Sequence, residues 1–317
     1  MIITRAPFRV SLFGGSTDYE EFYKEHGSLI IGSTIDKYTY TSFRLRPSIV
    51  SDHSVIAYSK LETPSQIKDI KHPLIRETLK YCNIKESVDL HFFADIPSRT
   101  GLGGSSSFCV SLLKSLNPHL SKKDMSKSAI EIERHVLNES GGIQDQIWAS
   151  YGGFNIIEIK QNGNFFIRPL SISEEFVNHL LQSVILIYTN SQRTTNKIAE
   201  SHENKNKVDL LSIARESITC FNQENIADLG KLLLESWKIK KSFSNLISTS
   251  KVEEISNTLL ANGFYGFKLL GSGGSGFMLG IGPPKSISKA KDIFKSQVLD
   301  FSFEKEGVSN VLTKEAK

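Results

Sequence analysis

Between Pro97 and Ser107 the sequence reads PSRTGLGGSSS, a composition suited to holding an anion. Gly101, Gly103 and Gly104 let a turn of backbone close in on a ligand, and the apolar-periodic segment from Phe108 supplies a helix whose first N–H groups have no partner within it. A phosphate chain suits such a bend. Glycine and serine also punctuate ordinary surface loops, so the loop alone leaves both readings open. A second cluster, KLLGSGGSGFMLGIG at 268–282, places Gly271, Gly273 and Gly276 in the spacing G-x-G-x-x-G. In a dinucleotide site that spacing stands between a first strand and a helix. Here the following FMLGIGPP reads as another strand, so a hairpin turn is expected rather than a nicotinamide site. The signatures G-x-x-x-x-G-K-[ST] and G-x-S-x-G are absent.

Other chemistry-bearing residues form no pattern of their own. Cys82, Cys109 and Cys220 are far apart, odd in number and without metal-ligand spacing, which predicts reduced, structural thiols. His26, His53, His72 and His91 show no partner pattern. Lys and Arg total 38 against 34 Asp and Glu, spread along the chain, which argues against a nucleic-acid partner. The N-terminus MIITRAPFRVSLF lacks the features of a signal peptide, and no apolar run approaches the about 20 residues of a membrane span. A soluble cytoplasmic protein with no membrane partner is expected.

The 317 residues, 39% hydrophobic, suffice for two lobes. Strands are expected over 2–13 and 28–44, where TIDKYTYTSFRL alternates as a half-buried strand should, and over 88–96, leading into the glycine-serine bend. Phe108, Val110, Leu112, Leu113 and Leu116 keep helical spacing up to Asn117-Pro118. A further helix starts at Ser121, with Asp124 completing a capping box, and carries Glu133. It stops before ESGGIQDQIWASYGG, whose paired glycines mark irregular backbone near Asp145; strands resume at 154–159 and 165–169. From about 181 a strand, SVILIYTN, precedes long helical stretches between about Thr195 and Gly263. The boundary is placed near 180, giving domains 1–180 and 181–317.

Taken in order, APFRVSLFGGSTDY at 6–19, PSRTGLGGSSS with its following helices, and KLLGSGGSGFML resemble the three motifs of the GHMP kinase superfamily, which includes galactokinase, homoserine kinase and mevalonate kinase. GIQDQ around Asp145 looks like the GIMDQ segment of galactokinases, while Gly15-Ser16 replaces their Glu-His. The stretch FGGSTDYEEFYKEHGSLIIGSTIDKYTY is more similar to the D-glycero-D-manno-heptose 7-phosphate kinases, differing at Ser16 and Ser28, where those usually carry glycine.

The resemblance implies an α+β fold of two lobes with the active cleft between them, the first lobe containing a left-handed βαβ unit and the second ferredoxin-like. It implies ATP and Mg²⁺ as cofactors, with Gly101, Leu102, Gly103, Gly104, Ser105 and Ser106 wrapping the phosphates and Ser105 and Glu133 holding the metal. The spacing from Glu133 to Asp145 is one residue longer than in mevalonate kinase. Asp145, paired with Arg9, would activate the acceptor hydroxyl. Gly15, Ser16, Thr17 and Asp18, Arg193 in TNSQRTTN, and Gly273 and Gly274 would meet the substrate; Arg44, Arg46 and Arg99 are further candidates for its phosphate. The implied reaction is phosphorylation of the anomeric C1 hydroxyl of a heptose 7-phosphate for nucleotide-heptose and surface-polysaccharide synthesis. L-Fucose, galactose, or a catalytically idle sugar and nucleotide sensor are the alternatives, and a homodimer is left open.

Overall fold

The computed structural model describes residues 1–47, 49, 53–190 and 207–313. Ala6, Phe8, Val10 and Leu12 alternate along the N-terminal segment and are buried on one face of β1 (Ile2–Phe13). A turn and the short α1 (Glu20–His26) lead into β2 (Ser28–Leu45), which pairs antiparallel with β1 along most of its length. Then follow β3 (Val55–Ala57), β4 (Leu61–Glu62), α2 (Pro73–Tyr81), β5 (Val88–Ala94), α3 (Gly104–Leu116), α4 (Lys122–Ile130), α5 (Gln144–Tyr151), β6 (Phe154–Ile159) and β7 (Phe165–Pro169). Ser121 caps α4, its hydroxyl accepting from the Asp124 N–H, as its sequence position requires. α3 is buried nearly all round, because it is wedged among β1, β2, α4 and α5.

The second lobe contains α6 (Glu174–Gln182), β8 (Val184–Tyr188), α7 (Lys207–Asn222), α8 (Ile226–Ser242), α9 (Ser250–Ala261), β9 (Gly266–Leu269), β10 (Phe277–Ile281), α10 (Pro284–Phe294) and β11 (Val298–Leu299). Its sheet runs β11-β8-β10-β9 with every pair antiparallel. Counted in chain order this is 4-1-3-2, the ferredoxin-like arrangement. β9 and β10 form the hairpin expected of the late glycine cluster.

The boundary near 180 needs a correction at the C-terminal end. β12 (Phe303–Glu304) pairs with β2, and β13 (Ser309–Thr313) pairs with β1, so the chain returns to the first lobe and completes a nine-stranded sheet with the path β13-β1-β2-β5-β3-β4. On its side away from β2, β1 would present unpaired N–H and C=O groups, and the returning strand pairs with its first part, Ile2 to Arg5. One apolar cluster joins the lobes, uniting Phe8 and Val10 of β1 with Phe176, Phe221, Leu229 and Phe277. The lobes therefore share a core rather than meeting across a wet interface.

Candidate active site

The glycine-serine bend is built onto β1. The Arg9 N–H donates to the Leu102 carbonyl at 3.0 Å, and Ser107 Oγ donates to the Pro7 carbonyl at 2.8 Å, so the bend and the strand position each other. Gly103 caps α3 in the left-handed region at φ +80°, with no side chain serving as cap. The first N–H groups of α3 are thus left for a ligand. The late hairpin interlocks with this bend. A Cβ on Gly101 would lie 2.6 Å from the Leu270 carbonyl and one on Gly276 2.4 Å from that of Thr100, which is why both approaches need glycine.

Arg9 carries the central ion pair. Its Nε donates to Asp145 Oδ1 at 2.7 Å and its Nη2 to Oδ2 at 2.8 Å, a bidentate fork, while Nη1 donates to the Gly101 carbonyl at 2.7 Å. One guanidinium therefore fixes both the carboxylate, in the first turn of α5, and the bend. A Cβ on Gly103 would sit 3.4 Å from the Asp145 carboxyl, so the head of α3 and Asp145 face each other at contact distance. Gly103→Ala would force an L-residue into positive φ, costing about 1 kcal/mol, and push a methyl between Arg9 and Asp145. We expect a drop in kcat of about 100-fold, from misplacement of the pair, with only a modest fall in Tm; parallel kinetics and melting curves check both.

Glu133 lies behind this pair, fully buried. Its carboxylate accepts from Ser106 Oγ at 2.6 Å and from Gln146 Nε2 at 2.5 Å, and its second oxygen has no partner among the described residues. Burial pushes its pKa above the usual carboxylate range, partly offset by Arg134. It is held on a π-turn, Glu131–Val136, in which the Leu137 N–H donates to the carbonyl of Ile132, five residues back. A π-turn accommodates one extra residue in a helix.

Asp18 is also buried, accepting from the Gln144 N–H at 3.1 Å and from Gln144 Nε2 at 3.0 Å. Burial first, then the nearby Asp145 charge, raises its pKa. These groups surround a cavity of about 580 Å³ whose other end is lined by His72, Leu74, Phe92, Ile96 and Phe108.

Several sequence expectations fall elsewhere. Ser106, not Ser105, touches Glu133; Ser105 is exposed at the cavity edge, because in a helix adjacent residues point about 100° apart. Gly15 and Ser16 line the cavity, but Thr17 is buried away from it. Its hydroxyl donates to the Gly14 carbonyl at 2.6 Å and lies 2.5 Å from that of Ser28, locking the turn. Ser16 holds φ +77°, the conformation for which glycine is the ordinary choice. Gly273 and Gly274 turn to Ile247, Gly274 donating to its carbonyl at 2.9 Å, while Gly271 and Ser272 face the cavity. Arg44 and Arg46 are engaged with Asp89, and Arg99 stands at the cavity edge. Arg193 lies outside the described residues.

Residues 70–153 match the GHMP kinases N terminal domain and residues 217–298 the GHMP kinases C terminal domain. The D-glycero-alpha-D-manno-heptose 7-phosphate kinase of Campylobacter jejuni is 32% identical, the alignment covering 98% of each chain. The chain belongs to the GHMP kinase family. Among solved structures, a D-glycero-D-manno-heptose 1-phosphate kinase from Bacteroides thetaiotaomicron has a TM-score of 0.82 at 24% identity, covering 99% of this chain and 100% of that one. A putative sugar kinase from Campylobacter jejuni has a TM-score of 0.77 at 27% identity, covering 98% and 97%.

This GHMP kinase also places in its cavity a residue that the motif reading passed over. Lys268, in the middle of β9, is buried and donates to the Leu12 carbonyl at 2.7 Å, at a point where the β1 register slips between Ser11 and Phe13. Burial, then Lys240 and Arg9, push its pKa well below the usual lysine range. The visible signal was a lysine inside the otherwise apolar GFKLL before a glycine turn. Lys240 Nζ donates to the Leu269 and Gly271 carbonyls nearby. No helix among the described residues is long and apolar enough to cross a membrane.

Proposed function

We propose that the protein transfers the γ-phosphoryl group of ATP to the anomeric C1 hydroxyl of D-glycero-D-manno-heptose 7-phosphate, giving the 1,7-bisphosphate. The observation that carries this reading is the contact of the α3 head with the Arg9-clamped Asp145, which brings a phosphate cradle and a carboxylate to one point. The N–H groups at the head of α3 hold the phosphates, and the aromatic end at Phe92 and Phe108 takes the flat base. Asp145 accepts the proton of the acceptor hydroxyl as its oxygen attacks, while Arg9 keeps the carboxylate ionised and aimed. Arg9 and Lys240 line the cavity and bring positive charge to the transferring group, with the buried Lys268 amine beside them.

The residues fit Mg²⁺. Glu133 offers an unpartnered carboxylate oxygen next to the Ser106 hydroxyl, and no group of three or more His, Cys, Asp or Glu that could hold a metal is present among the described residues. One carboxylate and a hydroxyl suit an ion whose remaining ligands are water and nucleotide phosphates. When bound, it neutralises phosphate charge; Ser105 at the cavity edge is the second hydroxyl within the same turn.

The heptose phosphate assignment draws support from the 32% identical relative and from Asp18 and Gln144, which present oxygen acceptors to a polyol beside Asp145. An ATP-coupled assay across D-glycero-D-manno-heptose 7-phosphate, L-fucose and galactose tests it. We expect kcat/KM for the heptose phosphate to exceed the others by at least about 100-fold. Equal or greater turnover of fucose or galactose would replace the assignment with another sugar.

A further inference from the structure

A second pocket of about 430 Å³ adjoins the catalytic cavity, and the two share Tyr19, Arg134, Glu139, Ser140 and Gly141 as lining. Lys207, the first residue of α7, lines it and is 4% exposed. Its ammonium lies 5.3 Å from the centre of the Tyr19 ring, and no acidic side chain stands within ion-pair reach of it among the described residues. A buried cation with no ion-pair contact is unfavourable, and burial holds this lysine's pKa below its ordinary value, with the more distant Glu21 and Asp18 offsetting only part of the effect. An anion entering the pocket would supply what the fold withholds.

The surroundings say which anion. Asp18 accepts from Gln144, the residue before Asp145, and is followed by Tyr19, over whose ring Lys207 stands, so a buried hydroxyl acceptor lies on the path from Asp145 to the lysine. Gln144 adds a side-chain oxygen with no partner among the described residues. Arg134 contributes a guanidinium at the junction of the two pockets, with Nε donating to the Gly142 carbonyl and Nη1 to that of Glu139, which leaves Nη2 for a ligand. The carboxylates of Glu20, Glu21 and Glu139 line the same pocket, where they can accept hydroxyls of the polyol while Lys207 and Arg134 face its phosphate. That combination suits a phosphate carried on a polyol better than inorganic phosphate.

The geometry points to Lys207, with Arg134 beside it, as the site that holds the phosphate of the acceptor, the sugar extending from Asp145 past Asp18 into this pocket. The assignment rests on the sugar-phosphate reading above and names the residues that would read the phosphate. It is tested by the discrimination ratio, kcat/KM for D-glycero-D-manno-heptose 7-phosphate divided by kcat/KM for D-glycero-D-manno-heptose, in the wild type, Lys207→Met and Lys207→Arg. Loss of a buried charged partner predicts that Lys207→Met lowers the ratio by about 100-fold, while Lys207→Arg, which keeps the charge, stays within about tenfold of the wild type. Lys207→Met, nearly isosteric and relieved of a buried charge, should melt no lower than the wild type. A large wild-type ratio that Lys207→Met leaves intact overturns the site alone. A wild-type ratio near one overturns the sugar-phosphate reading and the site with it.

Discussion

Asp145→Asn should lower kcat by about a thousandfold while ATP-analogue affinity changes little. The substitution keeps the shape of the side chain, and an amide oxygen still accepts one of the two Arg9 bonds now measured at 2.7 and 2.8 Å. What it removes is the negative charge that receives a proton from the acceptor. Arg9 loses its counter-charge at a site where its side chain is only 7% exposed, which costs about 3 kcal/mol and should appear as a lower Tm. The nucleotide contacts proposed for the α3 head do not involve this carboxylate, so calorimetric titration with a non-hydrolysable ATP analogue should give nearly the wild-type Kd. Turnover at wild-type rates in Asp145→Asn would remove the carboxylate from the chemistry. A wild-type protein that binds sugar and nucleotide without turnover would instead make it the idle sensor.

Glu133→Gln should have opposite effects on activity and on stability. Activity falls by about 100-fold in kcat/KM, with a higher Mg²⁺ concentration needed for half-maximal rate, because the one buried carboxylate facing the metal position becomes neutral. Stability should rise. The folded value for Glu133 is raised, so the folded protein keeps this proton at a pH where the unfolded chain has released it. Stability from this group is fully present below the ordinary carboxylate value and is lost as pH climbs through the raised folded value. Glutamine removes that loss, so the Tm difference between variant and wild type should widen as pH climbs above the ordinary carboxylate value and level off once Glu133 is ionised in the folded protein. Asp18 titrates in the same direction in both proteins and cancels from the comparison. A variant that is as active as the wild type, or less stable at the higher pH, would contradict the role assigned to this carboxylate.

How far the site was legible depended on whether a residue's task was local. The glycines of the bend were readable because close approach and positive φ leave few alternatives to glycine, and the structure puts Gly101 and Gly103 at φ +82° and +80°. The Ser121 cap and the alternation of β1 were likewise readable from neighbours in the chain. Thr17 turns away from the cavity and Ser105 stands at its edge rather than against Glu133, because motif position does not say which way a side chain turns. Thr17 faces the turn it closes, and Ser105 is one helical step from the serine that meets Glu133. Lys268 and Lys207 were invisible as site residues, since a lysine near a helix start or inside a strand is ordinarily solvated and only packing from distant segments buried these two.

Local backbone demands written in the sequence determined the strands, the capped helices and the glycine-rich bend, because each depends on residues a few positions apart. The resemblance across three motifs added their order along the chain. Tertiary structure alone decided that β13 returns to β1, that the Arg9 guanidinium holds the Gly101 carbonyl along with Asp145, and that Lys207 is buried over the Tyr19 ring. Those outcomes depend on burial and electrostatics between segments that meet only once the shared core has formed. Neither period nor composition encodes such distances.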